Sequence, residues 1–379
     1  MKLRALVGLL MLTSVAHAQL PKDGIPAVEM LPQQYPDTWI YAHDAAFYSL
    51  IAGKVIIVDV AADTREYKGA IGAAQFATFN ESAVRGELYV SETFYSRGTR
   101  GERSDVVSVY AKDSLAKIAE IPLPTGKRAM MVTKRFASRL IDGDRFLVIF
   151  NFNPSSSATV VDLEKREVVT TVEVPGCSLI YPTGERGFTS LCGDGSTLTI
   201  HLDEDGEERT RFVGEAFFTS HQEPVFDYPA IVDGIAYFVG YAGSVYPLDL
   251  RGEVPEALDS WSLVDAADRK AGWAPSGWQV IASDGGDRLF VIMRSDSFDG
   301  SHKSGGESVW VASRSQQKLL TKITPENAAL SLAYVASGTP LIAVTNNAMQ
   351  LEVYSSEGEF LRTISLGDTA MPFALHEPR

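Results

Sequence analysis

Val55-Ile-Ile-Val-Asp-Val60, a polar turn at Asp63-Thr64, and then Tyr67 to Ile71 form the stretch that decides the fold. The first segment alternates β-branched residues, as a half-buried strand does, and the second is its return partner across the turn. The same unit begins again at Val106-Val-Ser-Val-Tyr110, Thr159-Val-Val-Asp-Leu163, Thr197-Leu-Thr-Ile-His201 and Ser244-Val-Tyr-Pro-Leu-Asp249. Two more copies begin Ser308-Val-Trp-Val311 and Gln350-Leu-Glu-Val-Tyr354, making seven. With Val58, Val109, Val161, Ile200, Leu248, Val311 and Val353 taken as equivalent, the intervals are 51, 52, 39, 48, 63 and 42 residues. Repeats of roughly 40–50 residues are the period of four-stranded propeller blades. The uneven spacing, and the lack of a recurring Gly-His…Trp-Asp pair, argue against a WD40 array. The chain therefore reads as all-β, a seven-bladed β-propeller with four-stranded blades. The 63-residue interval predicts an insertion, and Asp259 to Ala271, with Trp261, Leu263, Val264 and Ala267, is its best helical stretch.

Each repeat supplies the outer two strands of a blade, so two inner strands should precede it. In blade two these read as Gln75-Phe-Ala-Thr-Phe79 and Glu87-Leu-Tyr-Val-Ser91. Blade one lacks a strand before Thr38-Trp-Ile-Tyr41, whereas a surplus strand, Pro372-Phe-Ala-Leu-His376, follows the last repeat. The simplest arrangement closes the ring with that C-terminal strand.

Outside the repeats, the N-terminus carries Lys2 and Arg4, a short apolar run from Leu6 to Leu12, and Ala16-His17-Ala18. This is the layout of a cleaved secretory signal, residues 1–18, with a mature start expected at Gln19. The run is far short of the roughly 20 residues that span a bilayer. Residues 19–37, with four prolines, read as a loose arm, and residues 38–379 as one propeller domain. Without the leader the chain has 32 basic and 48 acidic residues, a formal charge of −16. Phosphate contact needs a basic face, so nucleic acid and anionic membrane are excluded as expected partners.

Two cysteines in an exported chain predict a disulfide. Cys177 and Cys192 lie symmetrically about Gly184-Glu185, between Cys177-Ser-Leu-Ile-Tyr181 and Phe188-Thr-Ser-Leu-Cys192, so a hairpin should place them opposite one another.

A catalytic constellation is not legible. His43, His201, His221, His302 and His376 show no metal-ligand spacing, and there is no nucleophile elbow, dinucleotide fingerprint or Walker loop. Asp203-Glu-Asp-Gly-Glu-Glu208 lacks the twelve-residue calcium pattern and reads as a turn. Three segments stand out instead as candidate partner-facing loops: Ser96 to Asp105, basic and glycine-rich; Gly272-Trp-Ala-Pro-Ser-Gly-Trp278; and Asp299-Gly-Ser-His-Lys-Ser-Gly-Gly306.

The order Arg100-Gly-Glu-Arg-Ser-Asp-Val-Val107, Cys177-x14-Cys192-Gly-Asp-Gly195, Gly272-Trp-x-Pro-x-Gly-Trp278 and His302-Lys303 resembles the heavy subunit of methylamine and aromatic amine dehydrogenases. The resemblance runs from about residue 38 to the C-terminus. It implies a periplasmic assembly of two heavy and two light chains. The cofactor, tryptophan tryptophylquinone, belongs to the light chain. The assembly oxidises a primary amine to an aldehyde and ammonia, with electron transport to a blue copper protein of the amicyanin or azurin kind. The heavy chain itself is implied to hold no catalytic, cofactor-binding or metal-ligating residue. It also implies that a phenylalanine shortly before the Arg-Gly-Glu-Arg segment lines the substrate channel; Phe76 matches, with Phe79 its competitor. Two other readings are a periplasmic propeller that only binds protein or peptide, and a lactonase-like propeller hydrolase with a channel metal.

Overall fold

In a computed structural model, residues 29–45, 53–74, 76–129, 132–367 and 370–378 are described. The expected leader, and the expected arm as far as residue 28, lie outside them. Seven antiparallel sheets follow one another along the chain. Six of them take their strands consecutively from the sequence. The remaining one, blade one, combines Trp39–Asp44, Lys54–Asp59 and Tyr67–Gly72 with Pro372–His376 from the far end of the chain. Tyr41, Ala42 and His43 pair with His376, Leu375 and Ala374, so the C-terminal strand closes the ring as the surplus-strand argument required.

All seven repeat units form the outer halves of their blades. In six of these outer pairs the register slips by one residue at nearly the same place, for example between Ile57 and Val58, Val109 and Tyr110, and Val353 and Tyr354. A bulge there increases local twist and turns the outermost edge away from edge-to-edge pairing. Blade five differs: its outer strand is split into Glu256–Ala257 and Trp261–Ser262. The helix expected over Asp259 to Ala271 is only Ala266–Lys270, capped by the Asp265 carboxylate, which accepts from Ala267 and Asp268 N–H. Trp261 and Leu263, counted toward a helical face, are instead buried beside the third strand, Ser244–Asp249, and Trp261 pairs with Val245. Burial of two large side chains against a sheet outweighs the weak helix propensity of a short segment.

The sheets pack on one another through apolar layers such as Val148, Phe150, Ile180, Tyr181 and Phe188 between blades three and four. The stretch Leu31 to Asp37, expected to be loose, is tied down: Leu31 N–H donates to Asp113 O at 2.8 Å, and Tyr35 O–H donates to Lys112 O at 2.6 Å. Tyr35 also covers the ammonium of Lys112, which is buried with Glu81 as an ion pair.

Cys177 and Cys192 are bonded and directly opposed. Two irregularities compensate to bring this about. The turn holds three residues, since Thr183 pairs with Gly187, which would shift the cysteines by one position. A bulge at Leu179, whose φ is +65°, restores them. Closing this short loop restricts the unfolded chain and should contribute roughly 3 kcal/mol on the chain-entropy estimate. Cys177→Ser together with Cys192→Ser should lower the chemical denaturation midpoint accordingly. An unchanged midpoint would show that the hairpin is already formed in the unfolded ensemble.

At the ring seam, His43 is 1% exposed, its ring 6.3 Å from that of His376. Burial pushes its pKa down to about 4. The unfolded imidazole, near pH 6.5, binds the proton more readily. Stability from His43 is therefore complete above about pH 6.5 and is lost as pH falls toward 4, by roughly 3 kcal/mol. The loss of stability between pH 7 and pH 4 should be smaller by that order in His43→Asn, as read by denaturation at both pH values.

Candidate functional site at one mouth of the ring

Because successive strands alternate in direction, two kinds of connection emerge on the same face of the ring. These are the links from an outermost strand into the next blade, and the hairpins between second and third strands. The three candidate partner-facing segments, both cysteines and Phe76 fall at this face. The turn at Gly98-Thr99, the Cys192 end of the disulfide hairpin and the loop 295–307 are second-to-third connections. Phe76 precedes the first strand of blade two, Cys177 begins that of blade four, and residues 272–278 include the short strand Ala274–Pro275, which pairs in blade six ahead of Ile281–Ser283. One face thus collects motifs from Phe76 to the loop 295–307, far apart in the chain.

The basic segment is not a loop. Glu87–Arg97 and Arg100–Ala111 pair over their whole length, so the middle hairpin of blade two projects beyond its sheet. Its base is held by Asp105, whose carboxylate is wholly buried. Asp105 accepts from Arg103 Nε at 3.1 Å, from Thr93 Oγ1 at 2.5 Å and from Gly126 N–H at 2.7 Å. Arg128, 2% exposed, lies 3.9 Å from the same carboxylate, donates to Thr93 Oγ1 through Nε and Nη2, and donates to Phe76 O through Nη1 at 2.9 Å. Burial lowers the Arg128 pKa to about 10, with Asp105 opposing the shift.

Phe76 does not lie in a strand. The first strand of blade two is Thr78–Ser82, not Gln75 to Phe79, because Phe76 adopts φ +50° and breaks the alternation. Gln75 itself lies outside the described residues. Phe79 is 2% exposed, with ring centroids 4.7 Å from Tyr41 and 5.2 Å from His376, and is blade core. Phe76 is only partly covered.

The two tryptophans of 272–278 diverge. Trp273 turns outward onto Trp310, 5.3 Å away, with the Lys322 ammonium over both rings. Trp278 faces the ring mouth, its Nε1–H donating to Thr133 O at 3.3 Å. Gly272 begins this segment at φ +86°, where a Cβ would meet Ser295 O at 2.5 Å, so no other residue fits without a shift. Gly277 N–H donates to His302 O at 2.9 Å, which joins this segment to the polar loop 299–306.

Trp278, Lys134, Asp227, Phe226, Tyr241 and His302 line a cavity of about 320 Å³ at the mouth. His302 stacks on Tyr241 at 4.5 Å, and Lys134 forms an ion pair with Asp227 while its ammonium lies over Trp278. Desolvation and the adjacent Lys303 lower the His302 pKa, with Asp299 opposing. Arg135 forms the floor, donating to Tyr228 Oη at 2.5 Å and pairing with Glu377 at 3.0 Å. Beneath it the central channel widens to a cavity of about 810 Å³. Among the described residues, no group of three or more His, Cys, Asp or Glu side chains is placed to hold a metal ion. Arg128, Lys134, Asp227 and Tyr241 were not singled out in the sequence. Each is a lone residue in a connecting segment, and its partner lies in another blade.

The fold and this mouth define a seven-bladed propeller with one elaborated face, whose opening is aromatic and partly charged. The family model described as methylamine dehydrogenase heavy chain matches residues 38–369, and the chain belongs to that family. The methylamine dehydrogenase heavy chain of Methylorubrum extorquens is 28% identical over 273 residues, covering 70% of this chain and 65% of that one. That of Methylobacillus flagellatus is 27% identical over 275 residues, covering 72% and 68%. The match to the first relative thus spans just under two thirds of its length. Among solved structures, a functionally unknown protein from Desulfotomaculum acetoxidans superposes with a TM-score of 0.57 at 12% identity, covering 90% of this chain and 99% of its own. The β-propeller domain of Cps50 (Swd1) from Myceliophteria thermophila gives 0.57 at 10%, covering 87% and 97%. These two are likenesses of fold alone.

Proposed function

We propose that this chain is the heavy subunit of a periplasmic amine dehydrogenase that converts a primary amine to an aldehyde and ammonia. The observation that carries the reading is family membership across residues 38–369, supported by the gathering of the family-like segments on one face. In this reading residues 1–18 direct export, 19–37 form an arm, and 38–379 form the propeller. Two such chains assemble with two light chains, and electrons pass on to a blue copper protein. The light chain carries tryptophan tryptophylquinone, which supplies the electrophile and the two-electron sink. Trp310 is fully buried and shares the Lys322 ammonium with Trp273, so these two serve packing in blade six. The mouth residues then cap the partner's group, and Phe76 bounds the route taken by the amine.

Co-expression with a light chain and its maturation genes tests this. The complex should copurify, and its quinone absorbance should bleach on adding methylamine or 2-phenylethylamine, while this chain alone should oxidise neither. Copurification without amine-dependent bleaching would favour the binding-module reading. Amine oxidation by the isolated chain would place the cofactor wrongly. Phe76→Ala in the complex should change relative kcat/KM between the two amines by tens-fold, about 1–3 kcal/mol of discrimination.

A further inference from the structure

We propose that Arg128 is the positioning residue for Phe76, so that the amine selectivity of the assembled enzyme is set by a buried arginine that never meets the substrate. The inference rests on the channel role of Phe76 given above. A bulky residue at positive φ is uncommon, and it persists only where its surroundings over-determine it. Phe76 adopts φ +50°, and its carbonyl accepts from Arg128 Nη1 at 2.9 Å. The guanidinium cannot drift, because Nε and Nη2 both donate to Thr93 Oγ1, at 3.0 and 2.7 Å. Thr93 Oγ1 in turn donates to Asp105, which fixes the direction in which its lone pairs face Arg128. The planar fork is the reason for arginine here. One side holds the threonine of the projecting hairpin, and the other reaches the main chain of a different segment, a span a single ammonium cannot cover.

The bond acts on the backbone, so it sets where the Phe76 ring emerges from the chain. Phe76 is separated from Arg128 by 52 residues, and the hairpin base at Thr93 lies between them in sequence. The clamp therefore also ties the ring's position to the hairpin that projects from the same face.

The test uses the assembled enzyme carrying Arg128→Lys, which keeps a cation near Asp105 but loses the fork. The ratio of kcat/KM for methylamine to that for 2-phenylethylamine should move at least five-fold, in the direction that Phe76→Ala moves it. In a Phe76→Ala background, Arg128→Lys should then leave the ratio unmoved. In the isolated chain, hydrogen exchange measured on a peptide spanning residues 74–80 should accelerate while the other blades exchange as before. Should Arg128→Lys fail to fold, Thr93→Val removes the hydroxyl that orients the guanidinium. It should give the same shift, and Thr93→Ser should restore the original ratio. An unchanged ratio in both Arg128→Lys and Thr93→Val, an effect simply additive with Phe76→Ala, or unaltered exchange in 74–80 overturns the proposal. If Phe76→Ala itself leaves the ratio untouched, the channel reading falls as well. A shift with Phe76→Ala but none with the clamp variants removes only the present inference.

Discussion

A chain ending at residue 370 should fail to give a soluble monomer. Pro372–His376 is the innermost strand of blade one, and its removal bares Trp39–Asp44 as a sheet edge in the middle of the ring. Unpaired edges of this kind template association between chains. The strand also carries buried side chains, Ala374 at 2% and Leu375 at 0% exposure. It is bonded to other blades as well: Gln279 Oε1 accepts Leu375 N–H at 2.9 Å, and Ser331 Oγ donates to Phe373 O at 2.6 Å. Its loss therefore loosens blades six and seven along with blade one. Size-exclusion chromatography with light scattering should find aggregates or oligomers, and a peptide of residues 371–379 added during refolding should recover monomer. A truncated chain that stays monomeric with the full-length melting midpoint would refute the closure argument.

Replacing Asp105 by alanine should be the most damaging single change at the candidate site. Its carboxylate is wholly buried and is the one placed against both Arg128, which is 2% exposed, and Arg103, with Glu92 a further acidic neighbour of Arg128. Without it the buried Arg128 guanidinium faces the partly exposed Arg103 with no carboxylate between them, and Gly126 N–H loses its acceptor. Removing one partner of a buried charge cluster typically costs about 3–5 kcal/mol, because the charge left behind is uncompensated. Asp105→Asn keeps an acceptor for Gly126 and should cost less. Urea denaturation of the two variants against the wild type measures the difference. A loss below about 1 kcal/mol for Asp105→Ala would mean that water reaches the arginines and the cluster is less closed than it looks.

The ring and its closure were legible in the sequence because both follow from local rules. A half-buried strand writes a period of two into its residues, seven such units recur, and a ring of blades leaves one surplus strand to be accounted for. The Cys177–Cys192 pairing was legible for the same reason, although the correct partners arise from a three-residue turn offset by a bulge at Leu179. Where local pattern misled, a tertiary contact had decided otherwise. Trp261 and Leu263 join the edge of blade five instead of a helix, and the run at Gln75 to Phe79 enters its strand only at Thr78.

The mouth itself belongs to the tertiary structure. Trp273 and Trp278 sit in one short segment with nothing to tell them apart, yet one packs into blade six and the other faces the opening. His302 acquires its setting from Tyr241, Lys134 from Asp227, and Asp105 from Arg128. Each of these pairs joins segments that are not neighbours in sequence. Strand periodicity carries no information about which side chains meet across blades. The sequence by itself determined that this protein is a closed seven-bladed propeller with a disulfide-bonded fourth blade. Only the packing of blade against blade decided which side chains share its mouth, because the number and twist of the blades bring those connections together.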